Sequence, residues 1–262
     1  MNVTICHLLF AIRIFVRDTN AYTTDQILDY LKGKIACVID TPEKKVVDIE
    51  LTFTGREEEK KLLKNLEAEN MDHFFQQKTK TKQYYTCPLV HGSLGVGKSR
   101  LGYEFCRDLK KRHPNFCCGH ITLEFSTGDA VGFDPATSDD TRLALRVLAH
   151  FFFGESAQWL LALLAGRAIA TNRLTFSSVV DHIAKHCKNE RVLLAIQLDE
   201  FGYLSSEMLH QALIVLATHL VSRHDSNVCL LPMMTGTTTK KGIAAVTSSQ
   251  LSCRAILLKP FS

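Results

Sequence analysis

Five stretches of the chain are apolar over the length of a buried β-strand. Most are apolar at nearly every position, which is typical of central strands in a parallel sheet, whereas one alternates and places Ile121, Leu123 and Phe125 on one face. The predicted strands are residues 88–91, 119–125, 191–198, 228–234 and 255–258. Their spacing leaves room for a helix between most successive strands.

Between these strands, apolar residues recur at the three- and four-residue spacing of amphipathic helices. A clear example carries Leu145, Leu148 and Phe152 on one face. The predicted helices are residues 99–112, 141–153, 157–164, 177–188 and 207–221. Strands that alternate with helices predict an α/β fold, with a mainly parallel sheet of about five strands, helices on both faces and right-handed crossovers.

The length of 262 residues and an apolar fraction of 46% allow one large α/β domain. We expect residues 51–262 to form this domain, without a recognisable lid or C-terminal effector domain. Residues 1–50 are expected to form an N-terminal appendage of unclear role. Its apolar stretch, residues 5–16, is interrupted by His7 and Arg13 and is too short to span a bilayer, so it predicts a strand or short helix.

Residues 92–99 match the phosphate-binding pattern of Gly, four residues and Gly-Lys-Ser, between a predicted strand and a predicted helix. The glycines let the backbone wrap, so that successive N–H groups and the helix N-terminus point at phosphate oxygens. Lys98 is predicted to reach the β- and γ-phosphates, and the Ser99 hydroxyl to bind Mg²⁺. The predicted nucleotide-binding residues are Gly92, Ser93, Gly95, Val96, Gly97, Lys98, Ser99 and Arg100.

Two acids, Asp199 and Glu200, come directly after the apolar run 191–198. A central parallel strand carries such carboxylates to the carboxyl edge of the sheet, where ligands bind in open α/β folds. Asp199 is predicted to bind Mg²⁺ with Ser99, and Glu200 to polarise the water that attacks the γ-phosphate. An acid pair at the N-terminus of a helix is the alternative interpretation.

The predicted strand 228–234 ends in Thr235-Gly236-Thr237. A polar side chain at this tip can hydrogen-bond the γ-phosphate or the attacking water, which makes Thr235 and Thr237 candidates for that role. The predicted catalytic residues are Glu200, Lys98 and Thr235. Turn formation explains the Thr-Gly-Thr sequence about as well.

Other classes of phosphate-loop protein fit less well. A GTPase would use Asp199 and Gly202 as its Asp-x-x-Gly motif, but the chain has no Asn-Lys-x-Asp guanine motif. Nucleotide kinases normally lack a Glu directly after the strand Asp and need an arginine-bearing lid, which cannot be assigned. The adjacent acid, Glu200, favours hydrolysis of ATP.

Residues 53–59 read Phe-Thr-Gly-Arg-Glu-Glu-Glu and precede a helix with apolar positions Leu62, Leu63 and Leu66. This segment, ahead of a phosphate loop, resembles the leading segment of AAA+ and STAND ATPases. The resemblance implies that Gly55 and Arg56 lie on the adenine side of the nucleotide. It also implies the strand order 5-1-4-3-2.

Several pieces, in order, resemble the P-loop ATPase domain of Crinkler effectors and of the related retrotransposon hot spot (RHS) proteins of trypanosomatids. These pieces are residues 53–59, 90–101, 143–153, 198–201 and 231–237. The resemblance covers about residues 50–262. Secretion into a host cell and an interaction with nucleic acid follow only by analogy with that family.

Composition adds little to this interpretation. The formal charge of +4 is too small to require a nucleic-acid partner, and the basic cluster Lys78, Lys80 and Lys82 is interpreted as a solvated loop. The nine cysteines are an odd number without a CxxC pair. They are therefore interpreted as reduced thiols of an intracellular protein, cytoplasmic or nuclear.

Together these features predict Mg²⁺-dependent binding of ATP and its hydrolysis to ADP and phosphate, coupled to a conformational switch. The alternative is a nucleotide-binding interaction module, or a degenerate effector fragment, without significant turnover. Beyond the nucleotide, the expected partner is a protein or a second copy of the chain, and no membrane is expected.

Overall fold

The computed structural model describes residues 26–27, 55–125, 137–165, 174–188 and 190–260. The expected appendage, residues 1–50, therefore lies outside the described part apart from Gln26 and Ile27. Ile27 is fully buried and belongs to the same hydrophobic core as the sheet.

The described residues contain five strands, each close to its predicted position. They are β1 (Thr86–Gly92), β2 (Cys117–Glu124), β3 (Val192–Asp199), β4 (Val228–Gly236) and β5 (Ser252–Leu258). The strands form one sheet in the order β2-β3-β4-β1-β5, and every pair is parallel. Read from the other edge, this is the expected order 5-1-4-3-2, so the predicted α/β fold is confirmed.

Helices connect the strands. They are α1 (Glu57–Met71), α2 (Lys98–Arg107), α3 (Leu109–Arg112), α4 (Asp139–Phe153), α5 (Ala157–Ala165), α6 (Phe176–His186), α7 (Ser206–Ser222) and α8 (Thr239–Ser248). Short helical turns occur at Asp72–Gln76, Lys82–Tyr84, Phe201–Tyr203 and His224–Ser226.

Strands β3 and β4 lie in the interior of the sheet, and every residue in them is buried. Successive side chains of a strand point to opposite faces, so full burial means that both faces are covered. The nearly continuous apolar sequence of these strands is the direct consequence. At about 25 cal/mol per Å² of apolar surface, this burial is the main favourable contribution to folding.

The helix termini follow local sequence. Ser138 caps α4 by accepting a hydrogen bond from the Thr141 backbone N–H, and Gly154 ends the helix in the left-handed conformation with φ of 64°. Thr175 and Ser178 form a reciprocal capping box at the start of α6. These caps fix where α4 begins and ends and where α6 begins.

Two elements differ from the sequence prediction. The helix expected over residues 99–112 is interrupted at Asp108, which separates α2 from α3. Helix α8 was not predicted, because Thr239–Ser248 contains a glycine and several β-branched residues, which are weak helix formers. Packing against β1, β5 and α7 forms this helix in spite of its sequence.

The expectation that all nine cysteines are reduced is wrong for one pair. Cys117, at the start of β2, and Cys187, just after α6, form a disulfide with a Cα–Cα distance of 6.2 Å. They are 70 residues apart, so no local cysteine motif marks the pair. They meet because the chain leaves α6 and enters β3 beside the start of β2. Among the free thiols, burial raises the pKa of Cys118 to about 11.

Within the described residues, no single helix has the length and apolar character needed to cross a membrane. Helices α4 and α5 reach that length and character only as a pair, and they are bent by 96° at their junction.

Candidate functional site

The ends of three neighbouring strands bring the predicted motifs together at the carboxyl edge of the sheet. Asp199, the last residue of β3, lies opposite Thr235 of β4. Thr235 in turn lies opposite Val90 of β1, two residues before the phosphate loop begins. Motifs separated by more than a hundred residues therefore share one edge, as the parallel order requires.

The phosphate loop connects β1 to α2 through a tight turn. Gly97, the residue before α2, has a φ of 86°. This left-handed conformation costs an ordinary residue about 1–2 kcal/mol, which explains the glycine. Gly92 is needed for another reason, since a Cβ atom there would lie 2.6 Å from the Leu258 carbonyl oxygen of β5. The loop is thus packed directly against the neighbouring strand.

Lys98 is the first residue of α2, and only 4% of it is exposed. Its Nζ donates a hydrogen bond of 2.9 Å to the Ser93 carbonyl oxygen. The ammonium group therefore lies inside the loop that the glycines form. The N-terminus of α2 adds partial positive charge at the same place, which favours an anion.

Two hydroxyl groups converge on one carboxylate. The Ser99 hydroxyl donates a hydrogen bond of 2.9 Å to Oδ1 of Asp199, and the Thr235 hydroxyl donates to the same oxygen. Asp199 is 6% exposed and Thr235 is fully buried. A hydroxyl and a carboxylate beside an anion-binding loop are hard oxygen donors, which Mg²⁺ binds together with phosphate oxygens. The residues present therefore fit this metal.

Glu200 lies one residue beyond the end of β3 and is half-buried. Its φ is 50°, so it occupies the left-handed region and starts the turn Phe201–Tyr203. Non-glycine residues in this region are strained, and such strain clusters at functional sites. The direction of the Glu200 side chain is therefore set by this turn and not by the alternation of strand β3.

Arg56 lies behind the phosphate loop. Its Nη2 donates hydrogen bonds to the carbonyl oxygens of Val96 (3.2 Å) and Lys259 (2.6 Å), and its Nη1 contacts Glu59 (3.4 Å). Only 4% of Arg56 is exposed, whereas Gly55 is exposed. The guanidinium thus joins the loop to the chain after β5, and a role of either residue beside adenine stays a prediction.

Arg100 and Thr237 follow the phosphate loop and strand β4, respectively. Arg100 forms an ion pair with Glu104 on α2, at 3.7 Å. Thr237 lies beyond the end of β4 and is exposed, so of the two candidate threonines it is Thr235 that contacts Asp199. The basic cluster around Lys80 precedes β1, at the opposite edge of the sheet from the phosphate loop.

No protein-family model matches the chain, and no curated protein matches it. Similar solved structures include C. elegans PCH-2, at 12% identity and a TM-score of 0.44 over 79% of this chain and 43% of that chain. A second is the Aeropyrum pernix ORC2 protein in ADPNP–ADP complexes, at 12% identity and a TM-score of 0.45 over 78% of this chain and 48% of that chain. A third is Drosophila ORC bound to GC-rich DNA and Cdc6, at 12% identity and a TM-score of 0.44 over 86% of this chain and 35% of that chain.

The chain spans less than half the length of each of these structures.

Three further side chains, which are not among the predicted site residues, lie next to the site. Nδ1 of His91, just before the loop, lies 3.0 Å from the Thr239 hydroxyl at the start of α8, and burial lowers the pKa of His91. Lys241 of α8 donates to the carbonyl oxygens of Gly202 and Leu204, and so holds the turn after Glu200. Only the third, Gln197, has a sequence signal, because it is a polar residue in the apolar run of β3.

Proposed function

We propose that the chain binds ATP with Mg²⁺ at the carboxyl edge of the sheet and hydrolyses it to ADP and phosphate, as a nucleotide-dependent conformational switch. One observation carries the proposal. The Ser99 hydroxyl, the Asp199 carboxylate and the Thr235 hydroxyl meet beside a loop that encloses the Lys98 ammonium group.

Each residue has a defined role in this reaction. The loop amides and Lys98 bind the β- and γ-phosphates, and Lys98 exchanges the Ser93 carbonyl for phosphate oxygens. Ser99 and Asp199 hold the metal, which when bound neutralises charge on the phosphate oxygens. Glu200 orients the attacking water, and Thr235 keeps the Asp199 carboxylate in place.

We also infer that the chain belongs among the AAA+/STAND-like ATPases and resembles Crinkler and RHS proteins within that group. The five motif segments named above support this, as does the strand order. On this proposal residues 51–262 form the ATPase domain, and a protein partner or a second copy of the chain responds to the nucleotide state.

A second function is nucleotide binding without significant turnover. It is favoured by the contacts of the two arginines beside the phosphate loop. Arg56 is bound to backbone carbonyls and Arg100 is paired with Glu104, so both arginines beside the loop have other partners. Hydrolysis would then need an arginine from a partner, as in GTPases that are activated in trans.

The first test is binding of ATP and GTP in the presence of Mg²⁺, followed by phosphate release from the same samples. Lys98→Ala is expected to abolish binding, whereas the control Lys111→Ala, whose side chain is 75% exposed, retains it. If the wild-type chain binds no nucleotide, the proposal is wrong.

A second pair of variants separates hydrolysis from binding. Glu200→Gln is expected to abolish phosphate release while ATP binding persists, and the control Glu190→Gln, at an exposed position, changes neither. Tight binding by the wild type with no phosphate release supports the module without turnover.

A further inference from the structure

Gln197 is a buried amide in the centre of the sheet. It is 1% exposed, and all the other residues of β3 before Asp199 are apolar. A buried amide without partners would cost about 1–3 kcal/mol in lost hydrogen bonds to water. Its partners here come from three different elements.

The Gln197 amide joins α2, β4 and β2. Nε2 donates to the Ser99 carbonyl oxygen (3.3 Å) and to the Thr235 hydroxyl oxygen (3.2 Å). Oε1 lies 3.2 Å from Nε2 of His120. Two of these three partners belong to residues that contact Asp199 directly, and Gln197 itself does not.

The chemistry of these partners fixes which way the amide points. A backbone carbonyl such as that of Ser99 can only accept, so the nitrogen of Gln197 must face it. Oε1 then faces His120, whose Nε2 must carry the proton. Burial lowers the pKa of His120 to about 4, so the imidazole is neutral near pH 7.

The hydrogen bonds of Thr235 also determine the direction of its hydroxyl proton. Because Gln197 donates to the Thr235 oxygen, the Thr235 proton points the other way, to Oδ1 of Asp199. Helix α2 is shaped to admit this amide, since a Cβ atom at Gly102 would lie 2.4 Å from Oε1 of Gln197. The loop helix, the edge strand and the Thr235 hydroxyl are thus joined through one side chain.

We infer that Gln197 is a positioning residue of the proposed nucleotide site, which directs the Thr235 hydroxyl to Asp199 and holds the Ser99 carbonyl, and so prepares Asp199 and Ser99 to bind the metal. This inference rests on the proposed function. Partners that orient metal ligands typically change metal affinity or activity 10- to 100-fold when they are replaced.

The test is the Mg²⁺ dependence of ATP binding, because this readout does not require turnover. Gln197→Met keeps the length of the side chain and removes the carbonyl oxygen and the NH₂ group of the amide. We expect the Mg²⁺ concentration for half-maximal ATP binding to rise at least about tenfold, while ATP affinity without Mg²⁺ stays within about twofold, since Lys98 and the loop amides are unchanged.

A structural control separates a specific effect on the metal ligands from a general loss of protein stability. Ile196→Val alters the neighbouring residue of β3, which is buried and points to the opposite face. It is expected to lower the melting temperature slightly without moving the Mg²⁺ midpoint. If both variants move the midpoint equally, Gln197 acts only through stability and the inference is wrong.

A second pair of variants keeps the inference testable if Gln197→Met does not fold. Thr235→Val removes the hydroxyl with little change of shape and should raise the Mg²⁺ midpoint, whereas Thr235→Ser keeps the hydroxyl and should preserve it. An unchanged midpoint in Gln197→Met or Thr235→Val, in a protein whose wild type binds Mg²⁺–ATP, overturns this inference alone. If the wild type binds no ATP, the proposed function and this inference are both wrong.

Discussion

Arg56 and Lys259 lie 203 residues apart in the chain, and Nη2 of Arg56 donates a hydrogen bond of 2.6 Å to the Lys259 carbonyl oxygen. The same nitrogen contacts the Val96 carbonyl in the phosphate loop. One buried guanidinium therefore connects the start of α1, the phosphate loop and the chain after β5. The loop is supported from behind by a group that need not touch the nucleotide.

Arg56→Ala is expected to lower the free energy of unfolding by about 2 kcal/mol, because it leaves the buried Val96 carbonyl oxygen without its donor and removes the link to Lys259. It should also weaken ATP binding by loosening the loop. Chemical denaturation and nucleotide titration measure the two effects. Arg107→Ala, in which an ion-paired side chain that is 45% exposed is removed, should change stability by less than about 1 kcal/mol.

Inorganic triphosphate separates the two roles considered for Arg56. If Arg56 supports the loop, Arg56→Ala weakens binding of ATP and of triphosphate by similar factors. If it packs beside adenine, only ATP binding is affected. A selective loss of ATP binding would contradict the supporting role.

Glu200 provides a prediction from backbone strain. Its φ of 50° favours glycine, so Glu200→Gly is expected to be about 0.5–1 kcal/mol more stable than Glu200→Ala. Both variants should lack phosphate release. Thermal unfolding and a phosphate assay measure the two properties.

Gln250 is a matched control for this prediction. It is also left-handed, with a φ of 69°, but it is exposed at the opposite end of the sheet, before β5. Gln250→Gly should likewise be about 0.5–1 kcal/mol more stable than Gln250→Ala, and it should keep full phosphate release. If Glu200→Gly were less stable than Glu200→Ala, the turn would not be strained in solution.

The fold and the main contacts of the site were predictable because they follow from periodicity and edge geometry. Apolar runs locate the strands, and parallel order brings the ends of β1, β3 and β4 to one edge. The meeting of Ser99 with Asp199 is thus a consequence of the two motifs and the fold. The roles assigned to these residues stay predictions.

Other features depend on contacts that no local pattern encodes. The partners of Gln197 come from α2, β2 and β4, and they are defined only once the sheet has formed. Helix α8 has a weak helical sequence and is stabilised by packing. The disulfide between Cys117 and Cys187 joins residues that share no motif.

Reduction of this disulfide is expected to lower the free energy of unfolding by about 2–4 kcal/mol, because a bridge across 70 residues restricts the unfolded chain. Urea denaturation with and without a reductant measures the change. The double variant Cys117→Ser/Cys187→Ser should match the reduced protein and should not respond to the reductant. If the wild type does not respond either, the two thiols are not paired in solution.

His219 predicts a loss of stability in mild acid. It is 3% exposed, its Nε2 donates to the Val228 carbonyl oxygen (3.0 Å), and burial lowers its pKa from 6.5 to about 4. Because the folded pKa is lowered, the unfolded chain binds the proton more readily between pH 6.5 and 4. Stability is therefore complete above pH 6.5 and falls as the pH drops towards 4.

Between pH 6.5 and 5 this one residue is expected to remove about 1.5 kcal/mol from the free energy of unfolding. Most carboxylates stay ionised in that window, which keeps the histidine effect separate. His219→Gln retains an N–H donor for Val228 but does not titrate, so its stability should fall less over the same range. Burial also lowers the pKa of His120 to about 4, so His120 accounts for part of the pH dependence of stability that remains in the His219→Gln variant. Urea denaturation at successive pH values measures how the free energy of unfolding of the wild type and of His219→Gln changes with pH. If the two proteins show the same pH dependence, His219 is not buried in its neutral form.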